Sequence, residues 1–318
     1  MIEKKILNVA NFNCTFGKKN EPLLNHFEDI LLPAFQKGLV YENKRNGNKY
    51  LLEDVELSIK NGIFVLVGLL VKKTHLDIKT RHDSKGVLMP TNEKIPSDPF
   101  SYFIINLKNH RMALVKNQKG SPTVNDFDKT ASYILESFVK QHNDGEEREE
   151  NKLPVPNLNV VTIPYEGKIE GELKKVQKIE TAVLRFYPLN GDISPNSLFN
   201  ELREMLTEVD SKTGNTQINN PKNIKKMADI LKDTKGTVKP TLRVIYGNGA
   251  KRTLRDNDFS ESTKIDVDNN LTFHENMDVI SGKVINQEEY NETSGENNTI
   301  YQRFFSKLEN LFNNKIGG

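Results

Sequence analysis

The amino-acid sequence predicts an α+β fold of two lobes, with mixed, mainly antiparallel sheets and segregated helices. Two observations support this prediction. Strand-like and helix-like runs are grouped along the chain, whereas a βαβ fold would alternate them regularly. In addition, Asn61-Gly62 and Asn248-Gly249 each stand between two strand-like runs. This dipeptide favours the tight turn of an antiparallel hairpin.

The first lobe is predicted over residues 1–143 and is rich in strands. A helix is expected around residues 23–35 and another near 125–140, because apolar residues recur there on one helical face. Residues 83–99 are expected to form a long loop, since they contain one glycine and three prolines. The strands are predicted at residues 5–16, 50–60, 63–73, 75–82, 102–108 and 111–117.

A linker or exposed excursion is predicted at residues 144–156. Five of the seven residues from 144 to 150 are acidic, and Pro154 and Pro156 follow. Such a segment cannot continue a helix and has little apolar surface to bury. It would divide the chain near its middle.

The second predicted lobe covers residues 157–318. Strands are expected at residues 157–164 and 180–187, and a hairpin at 237–246 and 250–255. A helix should begin at Ser194-Pro195, where a capping hydroxyl precedes proline, and another should lie near 221–232. A terminal amphipathic helix is predicted over residues 299–314, and its wide apolar face suggests a contact in a homodimer.

The composition favours a polar protein that still buries a core. Hydrophobic residues make up 36% of the chain and charged residues 28%. No apolar run approaches the roughly 20 residues that cross a bilayer, and no secretory signal is visible. The only cysteine is Cys14, which is expected to be a small buried residue rather than a nucleophile. Together these features predict a cytoplasmic protein.

The net charge of +2 conceals two adjacent segments of opposite sign. Residues 221–255 contain ten basic and two acidic side chains, whereas residues 256–298 contain eleven acidic and two basic ones. A basic cluster binds phosphates without reading sequence. The alternative is a solvated surface that the acidic segment neutralises. The candidate DNA-binding residues are Lys222, Lys225, Lys226, Lys232, Lys235, Lys239, Arg243, Lys251, Arg252 and Arg255.

Three of these lysines, Lys222, Lys225 and Lys226, are predicted to lie outside the apolar stripe of their helix and therefore in water. The acidic segment is predicted to limit DNA binding, because it is tethered next to the basic one. The acids nearest in sequence to the basic hairpin are Asp256, Asp258, Glu261, Asp266 and Asp268.

An enzymatic alternative comes from Asp77-Ile78-Lys79, with Asp54 upstream. Two carboxylates can hold Mg²⁺, and a lysine can position water at a phosphate. These residues would form the site of a Mg²⁺-dependent nuclease. The competing interpretation is a solvent-facing strand edge. Without the nuclease, no metal and no cofactor are expected.

The order of several segments resembles the RexA family of phage lambda exclusion proteins and, more loosely, KwaB-type defence proteins. The similarity lies in residues 99–105, 110–113 and 120–127, in 223–228 with 242–244, and in 251–266. It implies a dimeric α+β protein with an RdgC-like fold that binds DNA with little sequence preference and serves phage exclusion. The Lys225-Lys226 pair lies within a similar segment, so the DNA-binding role is implied most directly there.

The sequence therefore predicts a non-catalytic, weakly sequence-specific DNA-binding protein of phage defence by abortive infection. It is expected to form a homodimer, to work with a second defence protein in one version of this hypothesis, and not to insert into membranes. Besides the nuclease, a third hypothesis is a protein–protein adaptor of a defence complex whose acidic segment is the docking surface.

Overall fold

The computed structural model describes residues 2–189, 197–260, 262–286 and 288–316. The expected helix start at Ser194-Pro195 and the acidic residue Glu261 lie outside these ranges. The strands are β1 (Ile2–Phe16), β2 (Glu21–Pro22), β3 (Tyr41–Glu42), β4 (Lys49–Lys60), β5 (Ile63–His82), β6 (Leu88–Ser97), β7 (Phe100–Asn106), β8 (Arg111–Lys116), β9 (Pro156–Thr162), β10 (Val176–Phe186), β11 (Gly214–Asn219), β12 (Lys239–Tyr246), β13 (Lys251–Arg255) and β14 (Ser262–Asp268).

Helices cover both sheets. A 3₁₀ turn at Leu23–His26, a π turn at Phe27–Leu31 and helix α1 follow one another in the region where a single helix was predicted. The helices are α1 (Leu32–Gln36), α2 (Val124–Asp144), α3 (Glu166–Leu173), α4 (Ser197–Glu208), α5 (Ile224–Asp233), α6 (Asp256–Phe259), α7 (Phe273–Val284), α8 (Glu288–Asn291) and α9 (Gly295–Ile316). None of the described helices is both long enough and apolar enough to span a bilayer.

The first sheet has ten strands and curls into a half-barrel. Its central path is β14-β1-β8-β7-β5-β4-β3, and every pairing in it is antiparallel. The helical segment 23–36, α2 and α9 pack on one face, while α7 and α8 pack on the other. Because both faces are covered, successive residues 64–67 of β5 are all buried. The predicted α+β class with antiparallel sheets is confirmed.

The second sheet is small, with the order β11-β10-β12-β13, and it lies in a segment inserted into the first lobe. The inserted segment runs from about residue 164 to residue 260, and a bridge between Pro164 and Ser260 closes it. Before it, β9 pairs with residues 10–16 of β1; after it, β14 pairs with residues 2–8 of the same strand.

The lobes are therefore distributed along the chain differently from the predicted division at residues 144–156. Residues 144–151 are mostly exposed, but Pro156 is buried at the start of β9, and β9, β14 and helices α7 to α9 all return to the first sheet. Strand pairing between distant parts of a chain leaves no mark in local composition. This is why the acidic run was a misleading guide to the boundary.

Residues 83–99 do not form the predicted loop. Strand β5 continues for 20 residues, and β6 pairs with its second half from Thr74–Ser97 to His82–Leu88. The two strands form an exposed arm, on which Leu76 and Leu88 are 60% and 59% exposed. Prolines are tolerated in β6 because it is an edge strand.

Helix α9 docks on the first core of its own chain. Ile300, Tyr301 and Leu308 are buried there, and the Tyr301 hydroxyl accepts a hydrogen bond from the Phe64 amide at 3.0 Å. The apolar face that suggested a dimer contact is thus used within the chain, so the homodimer loses this particular support.

Candidate nucleic-acid interface

The basic segment 221–255 does not form one surface. It contributes α5 to the helical layer of the inserted lobe and β12 and β13 to the sheet beneath. The ten candidate residues are consequently divided between two opposite sides of that lobe, with Lys235 in the turn between them.

On the helical side, α5 presents its lysines to solvent as predicted. The Asn223 side chain caps the helix by accepting a hydrogen bond from the Lys226 amide at 2.9 Å. Met227 and Leu231 are buried against the sheet, so Lys225 and Lys226 are turned outward and are exposed, like Lys222 in the preceding loop.

Acidic side chains accompany these lysines. Lys225 and Lys232 line a groove with Glu166, Glu170 and Asp229. Lys232 forms an ion pair with Glu166, which raises the lysine pKa through their hydrogen bond. The helical side of the lobe is therefore close to charge balance around α5.

The opposite side of the same sheet has a different character. Ala182, Leu184 and Phe186 on β10 point into the helical core, so the residues between them point the other way. Antiparallel registers place partners on the same face. We call this face the open sheet face, because none of the described helices packs on it.

The registers arrange the open sheet face in four rows across the strands. The rows are Asn215–Arg185–Lys239, Gln217–Val183–Thr241–Arg255, Asn219–Thr181–Arg243–Thr253 and Lys178–Ile245–Lys251. Six of these fourteen positions are basic, none is acidic, and only Val183 and Ile245 are apolar. The rows extend over seven residues of β12, 239–245, and the six steps between them cover about 20 Å.

Several cations of this face have no ion-pair partner among the described residues. Arg185, Arg243 and Arg255 are exposed and make no ion pair within 4.0 Å to any described residue, and the same holds for Lys178. Arg185 is held by a hydrogen bond from Nε to the Asn215 side chain at 3.4 Å. The open sheet face thus concentrates uncompensated positive charge.

Two cations of the face are compensated. Lys239 pairs with Asp128 of α2 at 3.1 Å, and Lys251 pairs with Glu180 at 3.6 Å. Glu180 is the extra residue of a bulge in β10, next to the rows rather than within them. The Lys239–Asp128 pair also ties the two lobes together.

Sequence reasoning missed Arg185 and Lys178, because both lie outside the basic segment. The alternation of Ala182, Leu184 and Phe186 with Thr181, Val183 and Arg185 was a usable signal. It indicates a strand with one apolar and one polar face, and it places Arg185 on the polar face.

A cleft of about 790 Å³ separates the open sheet face from the first lobe. The first two rows of the face form one wall. The other side is lined by Asn8 of β1, Lys116 of β8, the start of α2 and Thr162 of β9. Asp256, Asn257 and Ser260 complete the lining, which is mostly amide, hydroxyl and basic with one carboxylate.

Most of the acidic residues of segment 256–298 that the structure describes lie away from the open sheet face. Asp258 pairs with Arg252 at 2.7 Å, on the helical side of β13, and this pair raises the arginine pKa. Glu292 pairs with Lys235 at 2.8 Å. Asp256 lines the cleft, where its carboxylate accepts a hydrogen bond from the Thr162 hydroxyl at 3.3 Å. Asp266 and Asp268 lie on β14 in the first sheet.

Of the residues of the nuclease hypothesis, Asp77 and Lys79 lie 4.0 Å apart, but Asp54 is not brought to them. Asp54 is in the bulge of β4 that follows the Glu53–Leu69 pair. Asp77 lies eight residues beyond Leu69 on β5, about 26 Å away at 3.3 Å per residue, and it is in the exposed arm with Lys79. Across the described residues no group of three or more potential ligands is placed to hold a metal ion.

Comparison with known proteins adds no relative to this geometry. No family model matches the chain, and no match was found among curated proteins or solved structures. The similarity to phage exclusion proteins therefore stays a prediction from sequence.

Proposed function

We propose that the chain binds DNA with little sequence preference and that the open sheet face is the contact surface. The observation that carries this proposal is the six basic side chains in its four rows, with no acidic side chain among them. Polyanionic backbones bind such a surface through the release of their condensed counterions. The sequence similarity to exclusion proteins supports a role in phage defence.

Little sequence preference follows from the kind of contact. Arginine and lysine side chains on a sheet face can reach phosphates at many positions along a DNA strand. Phosphate contacts carry no direct sequence information. Specific readout in a duplex requires an element that enters a groove. The open sheet face is instead flanked by the first lobe along the cleft.

The test removes the three unpaired arginines of the face together: Arg185→Ala, Arg243→Ala and Arg255→Ala. Binding of a mixed-sequence DNA fragment is measured by fluorescence anisotropy across a series of salt concentrations. Each lost phosphate contact should reduce the log–log salt slope by about one. We expect a loss of affinity of roughly tenfold or more at low salt.

A matched control removes three charges from the helical side: Lys222→Ala, Lys225→Ala and Lys226→Ala. The three lysines and the three arginines are all exposed, so both variants should stay folded. Circular dichroism verifies this. If the control loses as much affinity as the arginine variant, only net charge matters and the proposed surface is wrong. If the wild-type chain does not bind DNA at low salt, the proposed function itself is wrong.

A further inference from the structure

The cleft between the open sheet face and the first lobe contains polar side chains that have no hydrogen-bond partner among the residues the structure describes. Asn8, Asn125 and Asn257 line it, and their side chains make no hydrogen bond to any described residue. Each amide offers both a donor and an acceptor, which is the pattern that the edge of a nucleobase presents. A ligand can therefore bind these amides without breaking a hydrogen bond between described residues of the protein.

Cations stand beside these amides on both sides of the cleft. Arg185 and Arg255 come from the sheet, and Lys116 comes from the end of β8. A ligand that carries negative charge along one edge and hydrogen-bonding groups along another would satisfy both sets. A nucleic-acid strand has this distribution of groups.

The size of the cleft selects the form of the strand. Its volume of 790 Å³ falls within the range of pockets for drug-sized ligands and corresponds to about two nucleotides. One base pair already contains two nucleotides, so a cleft of this volume is too small to enclose a duplex segment. Paired bases also have their Watson–Crick edges occupied, whereas unpaired bases expose them.

We infer that the cleft holds an unpaired stretch of a DNA strand, so that the chain binds single-stranded DNA more tightly than duplex. The inference rests on the proposed function and adds to it the form of the DNA. The rest of the strand would continue over the outer rows of the face, past Arg243 and Lys251. A duplex would lie across the open sheet face without placing its bases in the cleft.

The cleft lining contains no aromatic side chain on which a base could stack, so hydrogen bonds and charge must supply the recognition. Removing amides at the cleft should therefore weaken the single strand selectively. Asn125 and Asn257 are suited to this test because both are exposed, one in the first turn of α2 and one in α6.

The experiment compares a 12-nucleotide single strand with the duplex of the same sequence by fluorescence anisotropy at fixed salt. Wild-type chain should bind the strand at least about fivefold more tightly. The variant Asn125→Ala with Asn257→Ala should lose that preference, with little change in duplex affinity. The matched control is Gln302→Ala with Asn310→Ala, two exposed amides on α9 away from the cleft lining, and it should behave as wild type.

Duplex binding reports on the proposed function, and the difference between strand and duplex reports on this inference. Equal wild-type affinity for the two forms would overturn the inference and leave the proposed function standing. The inference would also be overturned if Asn125→Ala with Asn257→Ala lowered the affinities for single strand and duplex by the same factor. The same strand made of RNA forms a further arm, and RNA binding more than fivefold tighter than DNA would overturn the assignment to DNA.

Discussion

The fold controls the charge of His26 through two neighbouring carboxylates. Its Nε2 lies 3.0 Å from a Glu21 carboxylate oxygen, and its Nδ1 lies 3.1 Å from one of Asp29. The hydrogen bond with Asp29 contributes most to raising the His26 pKa above the ordinary value of 6.5, and the bond with Glu21 adds to it, against the opposing effect of burial. The imidazolium is therefore stabilised in the folded state.

The contribution of His26 to stability should depend on pH. A group whose pKa is raised by folding stabilises the protein fully below its unfolded pKa, and the stabilisation is lost as pH rises through the folded pKa. We expect His26→Gln to lower the free energy of unfolding by about 1 kcal/mol at pH 5.5 and by less at pH 8.5. Urea denaturation at the two pH values measures this, and a difference that grows with pH would contradict it.

Cys14 illustrates a residue-scale prediction that the structure confirms. It lies on β1, is fully buried in the first core and has a pKa raised by that burial. A thiol in this state is protonated at neutral pH, so it acts as a small apolar side chain. The prediction rested on the absence of a base next to Cys14 in sequence and on the usual burial of free cysteines.

At the scale of elements, α9 is a structural part of the first lobe. Its residues 300, 301 and 308 belong to the same core as the helical segment 23–36. Phe64 of β5 makes ring contacts with Phe305 and Phe312, at centroid distances of 5.3 and 6.2 Å. The helix completes the helical layer on one face of the first sheet, whose strands come mainly from the first third of the chain.

Truncating the buried side chain of α9 should test this role. Leu308 is 2% exposed, and Leu308→Ala should lower the free energy of unfolding by about 2–5 kcal/mol through lost burial and a residual cavity. Glu309→Ala, at the exposed neighbouring position, is the control and should change stability by less than about 0.5 kcal/mol. Similar stability of both variants would mean that the helix is not docked in solution.

The arm of β5 and β6 shows why one element was predicted incorrectly. Prolines and a glycine are typical of loops, and local sequence cannot say that a neighbouring strand will extend far enough to pair with them. Only the length of β5 decides the structure of residues 88–97.

At the scale of the whole molecule, the two charged segments interact less than their adjacency suggested. Ion pairs link the acidic segment to Arg252 and Lys235, neither of which is on the open sheet face. Asp256 is the one residue of the acidic segment among the charged side chains that line the cleft. Among the acidic residues that the structure describes, Asp256 is the position at which the predicted brake on DNA binding can be tested.

Neutralising Asp256 should strengthen DNA binding, because its carboxylate repels phosphate in the same cleft as Arg255. We expect Asp256→Asn to raise affinity by roughly threefold at low salt and by less at moderate salt, where screening is stronger. The control Asp266→Asn removes the same charge from β14, on the first sheet, and should have a smaller effect. Equal gains in the two variants would show that net charge alone limits binding.

The sequence by itself determined the antiparallel strands, the two Asn-Gly hairpins and the exposure of Lys222, Lys225 and Lys226. These features depend on turn chemistry and on the period of apolar residues, which are local properties. The tertiary structure alone decided that the second lobe is inserted between β9 and β14 and that α9 closes the first core. It also decided that Arg185 joins Arg243 and Arg255 on one face while the lysines of α5 lie on the other. The reason is physical: strand register and layer packing join residues far apart in the chain, and composition records only which charges are neighbours in sequence.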